Sequence, residues 1–413
     1  MTAFQTLAIL LTFAALGAYI NKRFLRLPAT IGLMFVALVM SLLAIGFNQL
    51  GWIDLRATSS FVAHIDFSAI LLHGMLSFLL FAGAMHVDLA ELRKYKTLVG
   101  ILATLGVVMA TFITGSLVWL AAGWLGFSFP YIYALLFGAL ISPTDPVAVL
   151  GILKETGISK SLRVQIGGES LLNDGVAVVL FLILLAIANP HMSKPSPPQI
   201  AFILAWAGIG GIALGLALGW LTFQALHSIN DYKIEVMMTL ALAAGGYALA
   251  EFVHVSGPLA MVAAGLILGN HGGAFGTSPK NRKHLDMFWE MLDETLNAVL
   301  FMLVGLEMMV ITITSPHLAM GLIAIIAVLV GRFISVGLPV FIGRFRYKLQ
   351  RGTIRLMTWG GLRGGIAIAL ALSLPPGPEK DLILGMTYLV VIFSVLFQGT
   401  TFRHLAQTIA HRG

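Results

Sequence analysis

The amino-acid sequence predicts an all-α polytopic membrane protein of about thirteen transmembrane helices. Of its 413 residues, 58% are hydrophobic and only 10% are charged, and the mean hydropathy is +0.94. Apolar runs long enough to cross about 30 Å of hydrocarbon recur from one end of the chain to the other. A membrane β-barrel is excluded, because its strands would appear as short alternating segments. The chain has no cysteine, which removes disulfides and thiolate metal sites.

The runs cover residues 3–20, 29–46, 67–87, 97–124, 131–152, 164–188, 200–226, 234–253, 257–270, 287–311, 318–342, 354–374 and 382–402. The first is read as an uncleaved helix and not a secretory signal, since its basic cluster (Lys22, Arg23, Arg26) follows the apolar stretch. With the N-terminus outside, the inside segments carry that cluster, then Arg93, Lys94 and Lys96; Lys154, Lys160 and Arg163; Lys233; Lys280, Arg282 and Lys283; Arg344, Arg346, Lys348, Arg351 and Arg355; and Arg403 and Arg412. The outside segments keep Arg56, Lys194 and Lys380. This asymmetry puts the N-terminus outside and the C-terminus inside. It also accounts for the net charge of +7 without a nucleic-acid partner.

The longest polar connections, "NPHMSKPSPPQ" (189–199) and "HGGAFGTSPKNRKH" (271–284), are too short to bury a core. Residues 1–413 are therefore expected to form a single membrane domain, with the function inside the bilayer. Asp145, Glu169, Asp174, Glu251, Glu294, Glu307, Arg332 and Arg363 fall within or at the edges of apolar runs. A charge at mid-bilayer costs at least about 2.5–3.5 kcal/mol, so such residues usually face one another or a water-filled path. They are candidates for an ion or proton pathway.

The sixth run contains "GESLLNDGVAVVLF" (168–181). On a helix, Ser170 and Asp174 share one face, and Glu169 and Asn173 form a second pair about 100° away. Hydroxyl, amide and carboxylate oxygens suit a hard cation; the alternative is a polar cluster that holds helices together. Upstream, "ISPTDPVAVL" (141–150) sets Thr144 and Asp145 between Pro143 and Pro146. Proline removes an amide donor and disfavours helix at the residue before it, so the fifth run is expected to break and free backbone carbonyls. Downstream, "GGLRGGIAIAL" (360–370) places four glycines around Arg363, which permits either unwinding or close helix packing. The fifth and twelfth runs cross in opposite directions. Two interrupted helices at matching places point to a secondary transporter of inverted repeats, with its site near the midplane. No residue-level repeat accompanies that topology.

Together, "SPTDPVAVL", "GESLLNDGVAVVLF", "EFVHVSGPLAMVAAGLILG", "ETLNAVLFMLVGL" and "GGLRGGIAIAL" resemble, in order and spacing, the first family of monovalent cation:proton antiporters, which includes sodium/proton exchangers of the NhaP type. The resemblance implies that Asp174 is the essential carboxylate, taking either the cation or a proton. It implies that Thr144, Ser170 and Asp145 coordinate or organise sodium or lithium, with Asn173 as the amide before the aspartate. Glu169 resembles the acidic partner of an arginine in the eleventh helix, here Arg332. It further implies a homodimer in the lipid bilayer, with an ion-translocating core (97–188 and 318–402), an interface bundle (1–96 and 234–311) and a linking helix (200–226). No cofactor is implied, because sodium, lithium and protons are cargo. Many members carry an acid in the third helix where this chain has Ala82, so a gating or pH-sensing role for that acid does not transfer. The chain ends soon after the last run, and regulation by a long tail domain is not expected.

The anionic form of a buried carboxylate is costly, so an empty Asp174 resists crossing the hydrophobic barrier, whereas a proton or sodium neutralises it. With neutral Asn173 beside it, one carboxylate trades one proton for one cation, which predicts electroneutral exchange. Glu251 and His254 are three apart and are candidates for one helix face in an access funnel, as is Glu294, with structural roles as the alternative. Arg363 is a candidate residue of the twelfth helix. His73, His86 and His254 are read as loop or packing residues in preference to pH sensors, and Glu307 as structural or interfacial. No hydrolase motif such as GxSxG or HExxH is present, so an enzyme is not expected. Potassium/proton exchange is the alternative within the class, and a channel would need a continuous pore. The short tail and loops favour a prokaryotic plasma membrane.

Overall fold

The computed structural model describes residues 3–52, 67–145, 149–151, 153, 156–189, 196–229, 231–271, 279–307, 315–345, 347 and 349–410. Arg56, Lys154, Lys194, Arg346, Lys348 and Arg412, and parts of the fifth and tenth runs, lie outside the described residues.

Among the described residues all regular structure is helical, and each of the thirteen apolar runs carries helix. In order these are α1 (Ala3–Ile20), α2 (Ala29–Gln49), α3 (Phe67–Met85), α4 (Lys96–Trp124), α5 (Tyr131–Ile141), α6 (Lys160–Ala188) and α7 (Pro197–His227). They continue as α8 (Tyr232–Phe252), α9 (Gly257–His271), α10 (Pro279–Glu307), α11 (Ser315–Gly343), α12 in two halves (Thr353–Trp359 and Gly365–Leu372) and α13 (Pro378–Ala410). Nine of these, α1–α4, α6–α8, α11 and α13, are long and apolar enough to cross a membrane. The chain is a multi-pass membrane protein. The other four depart for identifiable reasons. Helices α5 and α9 are short, and α12 is broken. Helix α10 carries Arg282, Lys283, Asp286, Glu290, Asp293 and Glu294 on its first half and becomes apolar from Ala298.

Two boundaries lie eight residues from where the sequence reading put them. Helix α10 begins eight residues before 287, so Arg282 and Lys283 lie on its first turns and not in a connection. Helix α13 runs on to Ala410 through a π-helical turn at Phe393–Gln398.

Small residues bring the helices together. Gly211, Gly215 and Gly219, four apart on α7, face Ser256, Ala260 and Ala264 at the matching spacing at the start of and along α9, and a Cβ at Gly215 would overlap the Ala260 carbonyl. Lipid tails are as apolar as the side chains, so close backbone approach is what holds such helices. Helix α7 turns Phe202, Trp206 and Trp220 outward. A similar approach joins α4 to α5, where Gly138 lies against the Thr111 carbonyl. One buried cluster draws chiefly on α5, α10, α11, α12 and α13. A second joins α3, α8 and α9 to the start of α10 around Trp289, whose indole N–H donates to Thr239 Oγ1 at 3.1 Å.

Candidate ion-binding site

The proline pair stops α5 at Ile141, and the backbone runs non-helically from Ser142 to Asp145. The glycine-rich stretch opens α12 between Trp359 and Gly365, which decides between unwinding and mere close packing. These two irregular segments meet. The Asp145 amide donates to the Leu362 carbonyl at 2.8 Å, and a Cβ on Gly364 would lie 2.9 Å from Asp145 Oδ2. A methyl at position 364 would press on that carboxylate, which would have to shift. Arg363, fully buried, donates through Nη1 to the carbonyls of Ser142 at 2.5 Å and Pro143 at 2.7 Å. The carbonyls that the sequence reading expected to be free are thus held by a resident guanidinium.

Helix α6 presents its polar residues to this crossing. Glu169, Ser170, Asn173 and Asp174 are 1%, 2%, 0% and 2% exposed. Ser170 Oγ and Thr144 Oγ1 are 2.7 Å apart. Asn173 Nδ2 donates to Thr144 Oγ1 at 3.0 Å and to Glu169 Oε1 at 3.3 Å. Glu169 is held by a bidentate pair with Arg332 of α11, Nη1 to Oε1 at 2.5 Å and Nη2 to Oε2 at 2.7 Å, and Arg332 Nε donates to the Met357 carbonyl at 3.3 Å. Such planar, two-bond recognition fixes orientation as well as charge. Asp174 differs: its Oδ1 is buried and receives no hydrogen bond. The charges acting on it are the Asp145 and Glu169 carboxylates and, with opposite sign, Arg363.

The structure therefore gathers Thr144, Asp145, Glu169, Ser170, Asn173, Asp174, Arg332 and Arg363 into one buried constellation. It does not bring Glu251, His254 or Glu294 there; all three are exposed. Glu251 and His254 do not share a helix face as expected, because α8 ends at Phe252 and His254 follows in a left-handed conformation with φ of 56°. Sequence reasoning missed Ser394 and Gln398 of α13, which bond the edges of the α12 break. A lone hydroxyl or amide in an apolar run carries no signal comparable to a charge. Among the described residues no three His, Cys, Asp or Glu side chains group as a metal site. The carboxylate and hydroxyl oxygens of Asp174, Ser170 and Thr144 are of the kind that suits a hard cation.

Residues 10–408 match the family described as sodium/hydrogen exchanger, transmembrane. The chain belongs to that family. It is 48% identical over 414 aligned positions to the Na(+)/H(+) antiporter NhaP of Pseudomonas aeruginosa, spanning 99% of this chain and 96% of that one. It is 34% identical to the Na(+)/H(+) antiporter NhaH of Halobacillus aidingensis, over 96% of this chain and 94% of that one. Among solved structures, the exchanger fold here superposes on the sodium proton antiporter MjNhaP1 of Methanocaldococcus jannaschii with a TM-score of 0.77. That pair is 20% identical and covers 99% of this chain and 98% of the other, so the likeness speaks to fold alone.

Proposed function

We propose that this exchanger trades sodium or lithium for protons, one for one, with both competing for Asp174. The observation that carries the reading is the buried Asp174 carboxylate, its Oδ1 unpartnered, on the helix face whose Ser170 hydroxyl meets Thr144 from the broken α5. Sodium would sit among oxygens of Asp174, Ser170 and Thr144. Asn173 and Asp145 organise the break, and Glu169 with Arg332 brace the core.

Charge counting supports electroneutrality. With Asp174 empty, Asp145, Glu169 and Asp174 exceed Arg332 and Arg363 by one negative charge, and a bound proton or sodium brings the core to neutrality. Moving the empty core would carry an uncompensated charge past an apolar barrier, which is costly. Exchange without slippage follows from that cost.

In this reading the thirteen runs all span the membrane, with the N-terminus outside and the C-terminus inside. Helices α5 and α12 are the interrupted members of inverted repeats. Residues 97–188 and 318–402 form the moving core, 1–96 and 234–311 the dimer-forming bundle, and 200–226 the link between them. The deciding experiment is cation-induced collapse of a preformed pH gradient in proteoliposomes, comparing wild type with Asp174→Asn. Sodium and lithium are expected to collapse the gradient only with Asp174 intact. A folded wild-type protein that answers to no monovalent cation at neutral or alkaline pH defeats the reading.

A further inference from the structure

Irregular backbone at membrane depth persists only where something satisfies the groups it frees. At the first edge of the α12 break, the Trp359 carbonyl accepts from Gln398 Nε2 at 3.2 Å. At the second, the Arg363 amide donates to Ser394 Oγ at 2.9 Å. Both partners lie on the π-helical turn of α13, four residues apart, and are 0% (Ser394) and 4% (Gln398) exposed. Between those edges the Leu362 carbonyl is bonded by Asp145, and the Arg363 guanidinium holds Ser142 and Pro143. A continuous chain of bonds therefore runs from α13 through the α12 break to the segment that carries Thr144. A π turn offers its side chains at a register that an unbroken α-helix does not, and such turns recur at functional sites.

We propose that Ser394 and Gln398 are positioning residues for the cation site. Their side chains hold the α12 break in register with the α5 break, so that Arg363 fixes the Ser142–Pro143 carbonyls and thereby the place of Thr144 Oγ1. They act through Arg363 and are not ligands to the ion. This inference rests on reading Asp174, Ser170 and Thr144 as the cation site.

The test uses the full chain in proteoliposomes with Ser394→Ala, Ser394→Thr and Gln398→Leu, measuring sodium KM and maximal rate and, separately, hydrogen–deuterium exchange over residues 360–366. Losing one hydrogen bond from the buried register is expected to raise the sodium KM roughly three- to tenfold in Ser394→Ala and Gln398→Leu, with maximal rate within about twofold. Ser394→Thr, which keeps the hydroxyl, is expected to stay near wild type. Exchange over 360–366 is expected to rise in Ser394→Ala and Gln398→Leu while the first turns of α6 stay unchanged. Unaltered protection of that segment overturns the proposal, as does a threonine variant as impaired as the alanine one. If Ser394→Ala does not fold, Gln398→Leu carries the same test at the other edge. A wild type without sodium flux defeats the functional reading instead, and the exchange measurement still decides the positioning.

Discussion

Asp174 and Glu169 lie five residues apart on one helix, yet their surroundings assign them different work. Glu169 is fully engaged by Arg332 and Asn173, whereas Asp174 keeps an oxygen that receives no hydrogen bond. Removing one member of a buried pair strands the other charge, at about 3–5 kcal/mol. Glu169→Gln and Arg332→Gln are each expected to lower stability in a detergent unfolding assay by that order, and the double variant by less than their sum. At the surface, Asp88 bonds Lys160 at 2.6 Å and caps the short helix Leu89–Lys94 through the Glu91 amide. The Lys160 bond first, then that amide, hold its carboxyl below the ordinary aspartate value. Because the folded-state value is the lower one, the contribution is present above about pH 4 and is lost as the pH falls through the depressed value. Asp88→Asn is expected to lower the melting temperature slightly at neutral pH and not at strongly acid pH, as differential scanning fluorimetry would show. The charged members of the site were legible because each costs so much in an apolar run that it must have a purpose. Ser394 and Gln398 were not, since their meaning depends on where a π turn places them against another helix.

Helices α5 and α12 contrast in what their sequences disclose. Two prolines around Thr144 and Asp145 remove amide donors and disfavour helix at the residues before them, and α5 stops there. Glycines around Arg363 permit opening without requiring it, and the opened backbone is held by partners in the segment after α5 and on α13. The start of α10 was misplaced for a different reason: its charges read as a connection, although helix continues through them. On α7, packing follows the glycines one by one. Gly215→Ala drives a methyl into the Ala260 carbonyl, whereas Gly208 faces open space. Overpacking costs about 1–3 kcal/mol, so Gly215→Ala is expected to lower the melting temperature by several degrees, with Gly208→Ala unchanged or slightly raised.

For the whole molecule, the membrane class and the helical runs follow from composition and hydropathy alone, because the bilayer admits so few backbone solutions. How the helices assemble does not follow, since glycine contacts and crossed breaks join residues distant in the chain. If one carboxylate is in play per cycle, as proposed above, exchange is blind to voltage. Sodium-driven proton flux in proteoliposomes is therefore expected to be unchanged when a potassium diffusion potential is imposed, and a rate that tracks the potential would contradict the one-for-one scheme. Helix α7 adds a mechanical consequence. Its 31 residues make a rod of about 46 Å at 1.5 Å per residue, half as long again as the hydrocarbon it crosses, so it must lean or bury surplus length among headgroups. In the proposed architecture that rod joins the still and moving halves, which makes it a gauge of bilayer thickness: exchange measured in lipids of graded acyl-chain length is expected to peak at one thickness and fall on either side, as the angle of the strut is forced away from the one the two halves share.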